Sequence, residues 1–579
     1  MFSILFKLKD FFSEYKKNYF ISFFSMIFSN LFRVFIPYII GQTIDYIVIG
    51  ELTPGLLTQI SVVFMVSIIS AYLLELLWSY LLFTGAANLQ KQIRSDLMNH
   101  FLKMRSVYYE KFRVGDLMAR STQDVRSIAE TAGYGMMVLM DSTLFLIIII
   151  TMMSVTISWK LTLYSLFPLI LLGYIFGKVG DLVEKRYTIS QEEFSSLNND
   201  VLEVVDGIRV IRAYVKEESY IEKFRQQTES LLEKNNDVAK ANALFMPLVK
   251  FFTAISTIIS FGYGVYLVFN GLLSVGDIIA FQLYLQMIVW PIISVGELTN
   301  ILRQGTASMT RVEDILFADD DMGDYGGERI ETEGSLEMED LTFQYPSNNT
   351  PNLSEITIEI EKGKMLGIVG KTGAGKTTLL RQLLRQYPMG EGGFRYGDTE
   401  VSQLGEQELQ GLIGYVPQDH ILFSRSVREN IAFGKDKATE EEILESVRIA
   451  SFAEDLKNMS EGLETLVGEK GVSISGGQKQ RISLARALIK DPEILMLDDS
   501  LSAVDAKTEQ NIIANIKENR SGKTTIISTH RLSAIKEADE IIVLDEGRII
   551  ERGTHNELVS LQGWYYEQYM RQELKAGDE

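Results

Sequence analysis

The chain contains no cysteine, which excludes disulfide scaffolds, thiolate metal sites and cysteine nucleophiles together. Its four histidines, His100, His420, His530 and His555, are scattered and offer no metal cluster. A positive charge balance is also missing: 56 Lys and Arg stand against 76 Asp and Glu, a net charge of −20. That balance argues against nucleic acid as a partner, because affinity for phosphate backbones comes mostly from Lys and Arg. The N-terminal stretch MFSILFKLKDFFSEYKK lacks a small-residue cleavage site and carries Lys7, Lys9, Asp10 and Glu14 among its apolar residues. It reads as an interfacial amphipathic helix and not as a signal peptide.

What the chain holds in quantity is uncharged sequence, unevenly placed. Its 579 residues exceed one core and make roughly three or four domains at ~150 residues each. Residues 1–320 carry 27 Lys and Arg against 30 Asp and Glu, net −3, which leaves 29 against 46, net −17, for residues 321–579. The first part has long uncharged runs, such as 133–140 and 142–159, and the second alternates charge and hydrophobe. A purely soluble protein is excluded.

A helix crossing a ~30 Å hydrocarbon core needs about 20 apolar residues. Six windows meet that need: about 19–44, 57–83, 134–158, 161–179, 244–269 and 278–301. An even number puts both termini on one side. The short connections near 51–55, 159–160 and 270–277 hold one Lys, Lys160, and no Arg. The long polar connections, 84–133 and 180–243, hold Lys91, Arg94, Lys103, Arg105, Lys111, Arg113, Arg209 and Arg212. The positive-inside rule turns those long connections and both termini to the cytoplasm, with Trp159 and Lys160 as an outer interfacial anchor. The long connections are rich in helix formers, so the span helices are expected to continue into the cytosol. Each is expected to break once, at Arg113–Asp116 and near Asp206–Gly207, where glycine permits a turn. Such elbows would touch whatever lies below the membrane. Arg33, Glu75, Asp141 and Glu297 fall inside spans, where a charge is expensive and marks either a functional site or an internal pair that fixes packing. Pro37, Pro168, Pro247 and Pro291 are each expected to kink a span.

After Arg311 comes DILFADDDMGDYGGERIETEG, an acidic, glycine-containing linker without apolar periodicity. From about Ser335 strands and helices alternate. The strand 365–369 is followed by Gly370-Lys371-Thr372-Gly373-Ala374-Gly375-Lys376-Thr377 and then a helix beginning at Thr378. This is GxxxxGK[ST] after a strand and before a helix, the setting a phosphate loop requires. Its glycines let backbone N–H groups close on phosphate oxygens, the helix N-terminus adds positive potential, Lys376 meets the β- and γ-phosphates, and Thr377 reaches Mg²⁺. A metal-holding carboxylate is expected on a neighbouring strand, and Glu493-Ile-Leu-Met-Leu-Asp498-Asp499 supplies it, with Asp498 at the C-terminal end of an apolar run.

With these motifs the chain resembles the ATP-binding-cassette (ABC) exporters along essentially its whole length. Ser475-Gly476-Gly477-Gln478, preceded by Ile474 where the family usually has Leu, resembles the signature motif about a hundred residues beyond the phosphate loop. Tyr345 resembles the aromatic that stacks on adenine, and Gln418 in Tyr-Val-Pro-Gln the metal-sensing loop. The run from Ser502 to Asp505 resembles the loop across the dimer interface, His530 the switch histidine, and Glu469 the exporter-specific loop. Six spans fused ahead of one cassette resemble the exporter branch. The fold this implies is a membrane α-helical domain with six spans followed by an α/β P-loop NTPase domain, the type I exporter arrangement also called the type IV fold. The expected limits are 1–315 for the membrane domain, 316–334 for the linker and 335–579 for the nucleotide-binding domain. The resemblance further implies ATP and Mg²⁺ as cofactors, an ATPase coupled to transport, and a bacterial cytoplasmic-membrane location. It implies two cassettes that sandwich ATP, so that a second half-transporter is a partner besides membrane lipid and the transported compound.

One departure matters most. The family places its catalytic base, a Glu, directly after the metal-binding Asp, and here that residue is Asp499. Asp is shorter by one methylene, about 1.5 Å of bond, and a misplacement near 1 Å costs ~10²-fold where positioning dominates, as in phosphoryl transfer. The expectation is a site that binds ATP well and hydrolyses it poorly, with an intact signature lent to a partner that carries the Glu, as in heterodimeric bacterial multidrug exporters. A homodimer with two slow sites, and Asp as a tolerated base, remain open. So do a lipid or lipopeptide flippase and a regulatory subunit that uses ATP as a conformational clamp.

Overall fold

The computed structural model describes residues 3–319, 334–346, 348–468 and 474–577. The expected linker falls largely on 320–333, outside the described residues, as does Glu469. Two compact units emerge. One comprises Met1–Lys103 with Phe112–Ala318, the other Met104–Lys111 with Asp319–Glu579.

In the first unit five helices among the described residues are long and apolar enough to cross a membrane: Lys16–Ile49, Pro54–Lys103, Val114–Asp206, Glu217–Phe269 and Val275–Leu316. The third contains two spans. Ser158 leaves helical geometry, with φ −163° and ψ 123°, and its hydroxyl accepts from Leu161 N at 3.4 Å. A serine that ends one apolar run and caps the next helix is a turn point, and six spans result. Apolar side chains gain little from leaving lipid for one another, so close packing and hydrogen bonds must join the spans. Gly41 and Gly276 bring the first and last spans into backbone contact, where a Cβ on Gly276 would stand 2.0 Å from Gly41 O. Asp45 then accepts from Gly276 N at 2.7 Å and from the Ser274 hydroxyl at 2.6 Å. Pro37, Pro168 and Pro291 lie inside continuous helices and are buried. Pro247 does not interrupt its span as expected. It occupies the first turn of the helix Phe245–Phe269, where its missing N–H has no helical partner to lose.

The long connections also differ from expectation. Each breaks twice around a six-residue helix, Ser106–Lys111 in one and Ile208–Ala213 in the other. Gly115 lies inside the helix Val114–Ala119, and Gly207 turns with φ −88°, so neither uses glycine's left-handed freedom. The residue that does adopt positive φ is Val215, at 51°. The first short helix belongs to the cassette unit, where Val107 joins the buried core and Tyr387 donates its hydroxyl proton to Glu110.

In that second unit the strands are β1 (Leu336–Phe343), β2 (Leu353–Ile360), β3 (Met365–Gly370), β4 (Glu391–Tyr396), β5 (Thr399–Glu400), β6 (Ile413–Val416), β7 (Ile494–Asp498), β8 (Thr524–Ser528), β9 (Glu540–Asp545) and β10 (Arg548–Gly553). An antiparallel sheet has the order β2-β1-β4-β5, and a second, mostly parallel sheet the order β10-β9-β3-β8-β7-β6. The central strands are apolar throughout because both faces are covered. In β7, Leu495 and Leu497 enter one buried cluster while Ile494 and Met496 enter the other. Each such side chain contributes about 1.5–3 kcal/mol on burial. The carboxylate strand is not adjacent to the phosphate-loop strand, contrary to expectation. β8 lies between β3 and β7 and brings His530 to the same edge.

Candidate functional site

The loop after β3 enters the helix Lys376–Leu383 through Gly375, which caps it at φ 104° in the left-handed region. The first N–H groups of that helix have no helical acceptors. Ala374, Lys376 and Thr378 are buried, while Lys371, Thr372 and Gly373 are exposed at the mouth. Lys376 Nζ donates to Gly370 O at 2.8 Å and to Lys371 O at 2.9 Å. An ammonium has three protons to donate, so one remains, and burial pushes the group below its ordinary pKa against the pull of Asp499 and Asp498. Free helical N–H groups around a buried, partly bonded ammonium fit a phosphate chain.

Thr377 Oγ1 donates to Asp498 Oδ1 at 3.2 Å, and the Tyr415 hydroxyl stands 3.5 Å from Asp498 Oδ2. Burial raises the Asp498 pKa, with the Thr377 hydrogen bond acting the other way, and burial followed by the Asp498 charge raises that of Tyr415. A buried carboxylate beside a hydroxyl fits Mg²⁺, which binds through one or two such oxygens plus phosphates and not in an all-protein cage. No group of three or more acidic or histidine ligands occurs among the described residues. Gln418 is exposed, two residues beyond β6.

Asp499 follows in the left-handed region, φ 45°, its N–H donated to Ser528 O at 2.8 Å. Its Oδ1 is buried without a hydrogen-bond partner. The His530 pKa is lowered by burial and by Lys376, with Asp499 and Asp498 opposing, so these four groups share one electrostatic neighbourhood. Tyr345 packs edge-on against Phe343 at 5.0 Å and Tyr387 at 4.9 Å, with its hydroxyl 3.3 Å from Thr378 Oγ1.

The remaining motif residues lie elsewhere in the unit. Ser475 caps the helix Gly476–Leu488 through a capping box with Gln478, at 3.3 Å and 3.0 Å. A Cβ on Gly477 would stand 3.1 Å from Ala503 O, so the signature and the Ser502–Asp505 loop are neighbours. Asp505 accepts from Thr508 N at 2.9 Å and from its hydroxyl at 2.7 Å, spending both oxygens on its own helix cap. Sequence gives no role to Tyr415, Arg381, Arg531 or Gln572, although Tyr415 opens the Tyr-Val-Pro-Gln run, Arg381 follows the phosphate loop and Arg531 follows His530. Arg381 donates to the Tyr345 hydroxyl at 3.3 Å. Arg531 donates to Ser502 O and Val504 O, each at 2.8 Å, and to Glu509 at 2.9 Å.

Residues 19–292 match the family described as ABC transporter transmembrane region, and residues 353–502 match the family described as ABC transporter. A Bacillus subtilis protein called a probable multidrug resistance ABC transporter ATP-binding/permease protein, YheI, is 46% identical over 100% of this chain and 99% of its own. The chain belongs to the ABC transporter family. The multidrug resistance-like ATP-binding protein MdlA of Escherichia coli is 37% identical over 93% of this chain and 92% of its own. A bacterial Atm1-family ABC exporter, whose structure has ATP bound, superposes with a TM-score of 0.80 over 95% of this chain and 98% of that one at 22% identity, a likeness of fold. This ABC transporter is therefore a half-transporter of exporter fold, a membrane protein whose ATP-binding domain is an ATPase coupled to transport.

Proposed function

We propose that this chain is one half of a heterodimeric multidrug exporter and that its own phosphate loop forms a slow, ATP-retaining site. The observation that carries the reading is Asp499, an Asp in the family's Glu position, half-buried with its Oδ1 shielded from solvent and unbonded. A carboxylate about 1.5 Å short of the place from which it would orient water leaves binding intact and weakens turnover. Tyr345 packs on adenine and Gly370 to Thr378 cradle the phosphates. Thr377, Asp498 and Gln418 would hold Mg²⁺, which when bound would neutralise phosphate charge, and His530 would contact the γ-phosphate. Ser475, Gly476, Gly477, Gln478 and Asp505 complete the partner's site, where a Glu performs hydrolysis. ATP joins the two cassettes, its loss releases them, and the membrane helices alternate access in response.

The transported compounds are hydrophobic or amphipathic, a reading supported by the multidrug names of two relatives. The membrane is the bacterial cytoplasmic membrane, with both termini and the cassette inside, supported by the Lys and Arg bias of the long connections. The functional limits are 1–315, 316–334 and 335–579.

Coexpression with a Glu-bearing half-transporter tests this. The purified complex should hydrolyse ATP at least ~10²-fold faster than this chain alone and expel a hydrophobic dye from cells. Brisk hydrolysis by the chain alone overturns the division of labour. Stimulation by lipid without dye movement assigns a flippase instead, and a complex that neither hydrolyses nor transports assigns a regulatory clamp.

A further inference from the structure

The helix Trp564–Gly577 lies far in sequence from every nucleotide motif, yet Gln572 on it grips the switch segment on both sides of Arg531. Gln572 Nε2 donates to His530 O at 2.9 Å, and Gln572 Oε1 accepts from Leu532 N at 3.0 Å. One amide bonded through both ends to one peptide segment fixes that segment's position and its plane. Lys536 adds a second tie, donating to the Tyr569 hydroxyl of the same helix at 3.2 Å. Between the helix and the phosphate loop is a cavity of about 370 Å³ lined by Gly370, Lys371, His530, Trp564, Arg571 and Gln572 among others. Thr529 N is donated to Ile368 O at 3.1 Å, so the segment is anchored to β3 just before His530 and to the C-terminal helix just after it. His530 stands partly exposed, and its imidazole makes no hydrogen bond among the described residues. Its placement depends on its main chain.

We propose that Gln572 is a positioning residue that holds the His530 main chain so that the imidazole meets the γ-phosphate, making the discrimination of ATP from ADP depend on the C-terminal helix. This rests on the reading of His530 given above. Arg531 continues the arrangement, since its guanidinium binds the carbonyls of Ser502 and Val504, and movement of the switch segment therefore reaches the interface loop.

The test uses the full chain in lipid nanodiscs and the fluorescent analogues MANT-ATP and MANT-ADP. Gln572→Leu should weaken MANT-ATP binding about tenfold, equivalent to ~1.4 kcal/mol, and leave MANT-ADP within about twofold. Gln572→Glu keeps the acceptor for Leu532 N and loses the donor to His530 O, so it should show the same selective loss at nearly the same side-chain volume. His530→Ala should reproduce the selectivity loss. If His530→Ala lowers the ATP preference and neither Gln572 variant does, the positioning role is wrong and the reading of His530 stands. If His530→Ala leaves the preference unchanged, the reading of His530 fails and this inference fails with it. Equal loss of both nucleotides in the Gln572 variants marks a merely structural helix contact and overturns the proposal.

Discussion

Thr377 Oγ1 and Asp498 Oδ1 stand 3.2 Å apart although β8 lies between β3, which leads to the Thr377 helix, and β7, which carries Asp498. In the proposed function these two oxygens would share one Mg²⁺, the hydroxyl as the weaker ligand. Thr377→Val keeps the shape and removes the ligand. It should weaken Mg²⁺–ATP binding by about tenfold, ~1.4 kcal/mol, while ATP in EDTA binds as in the wild type. Titration calorimetry with and without Mg²⁺ reads the difference, and equal losses in both conditions would place Thr377 in the phosphate cradle and not at the metal.

Asp499→Glu restores the missing methylene. The variant should raise turnover at this chain's own site by up to ~10²-fold if reach is what limits it, with ATP affinity little changed. Single-turnover hydrolysis by the chain alone is the measurement. An unchanged rate would show that distance is not the fault, and attention would move to the left-handed backbone at this residue, φ 45°.

The phosphate loop, the apolar strand ending at Asp498 and the six apolar runs were legible because each is a local pattern: fixed spacing, buried alternation or continuous hydrophobicity. Strand order was not. Nothing local says that β8 inserts between β3 and β7, since that follows from how the crossovers pack. The elbows were legible as polar interruptions, but their form was misread. Gly115 and Gly207 invited a glycine turn, whereas the chain spends two breaks on a short helix and puts the positive φ on Val215. Arg33 and Glu75 could be suspected of pairing only because a span charge needs a partner, and they do bond at 2.7 Å, while Glu297 accepts from Tyr134 at 2.8 Å. Gln572 carried no signal at all, being a single glutamine on an otherwise ordinary terminal helix.

His555 Nδ1 lies 2.8 Å from the hydroxyl of buried Tyr565. Burial, then the charge of Lys536, lowers the histidine's pKa, with Glu573 opposing. A base with a depressed pKa binds fewer protons folded than unfolded, so stability rises with pH across the interval from the folded to the unfolded value and is lost on acidification through it. The cassette should therefore melt earlier as pH falls below about 6.5, and His555→Gln should flatten that part of the profile. Thermal scans of the full chain between neutral and mildly acidic pH provide the check; a profile identical in the variant would remove His555 from the account.

Gly276 marks where the first and last spans come into direct backbone contact. A methyl there would stand 2.0 Å from Gly41 O and 2.6 Å from an Asp45 carboxylate oxygen, and neither the helix backbone nor the bonded carboxylate can give way without separating the spans. Gly276→Ala should therefore destabilise the membrane unit by about 1–3 kcal/mol, the usual cost of overpacking, despite the better helix propensity of alanine. Gly173 supplies the control. It lies within the helix Trp159–Asp206 and a Cβ there would meet no atom within 4 Å, so Gly173→Ala should be neutral or stabilising by up to about 1 kcal/mol. Denaturation midpoints of the two variants in the same detergent separate the explanations. Equal behaviour would mean that the spans part easily at this end and that the Asp45 hydrogen bonds, not the close approach, hold them together.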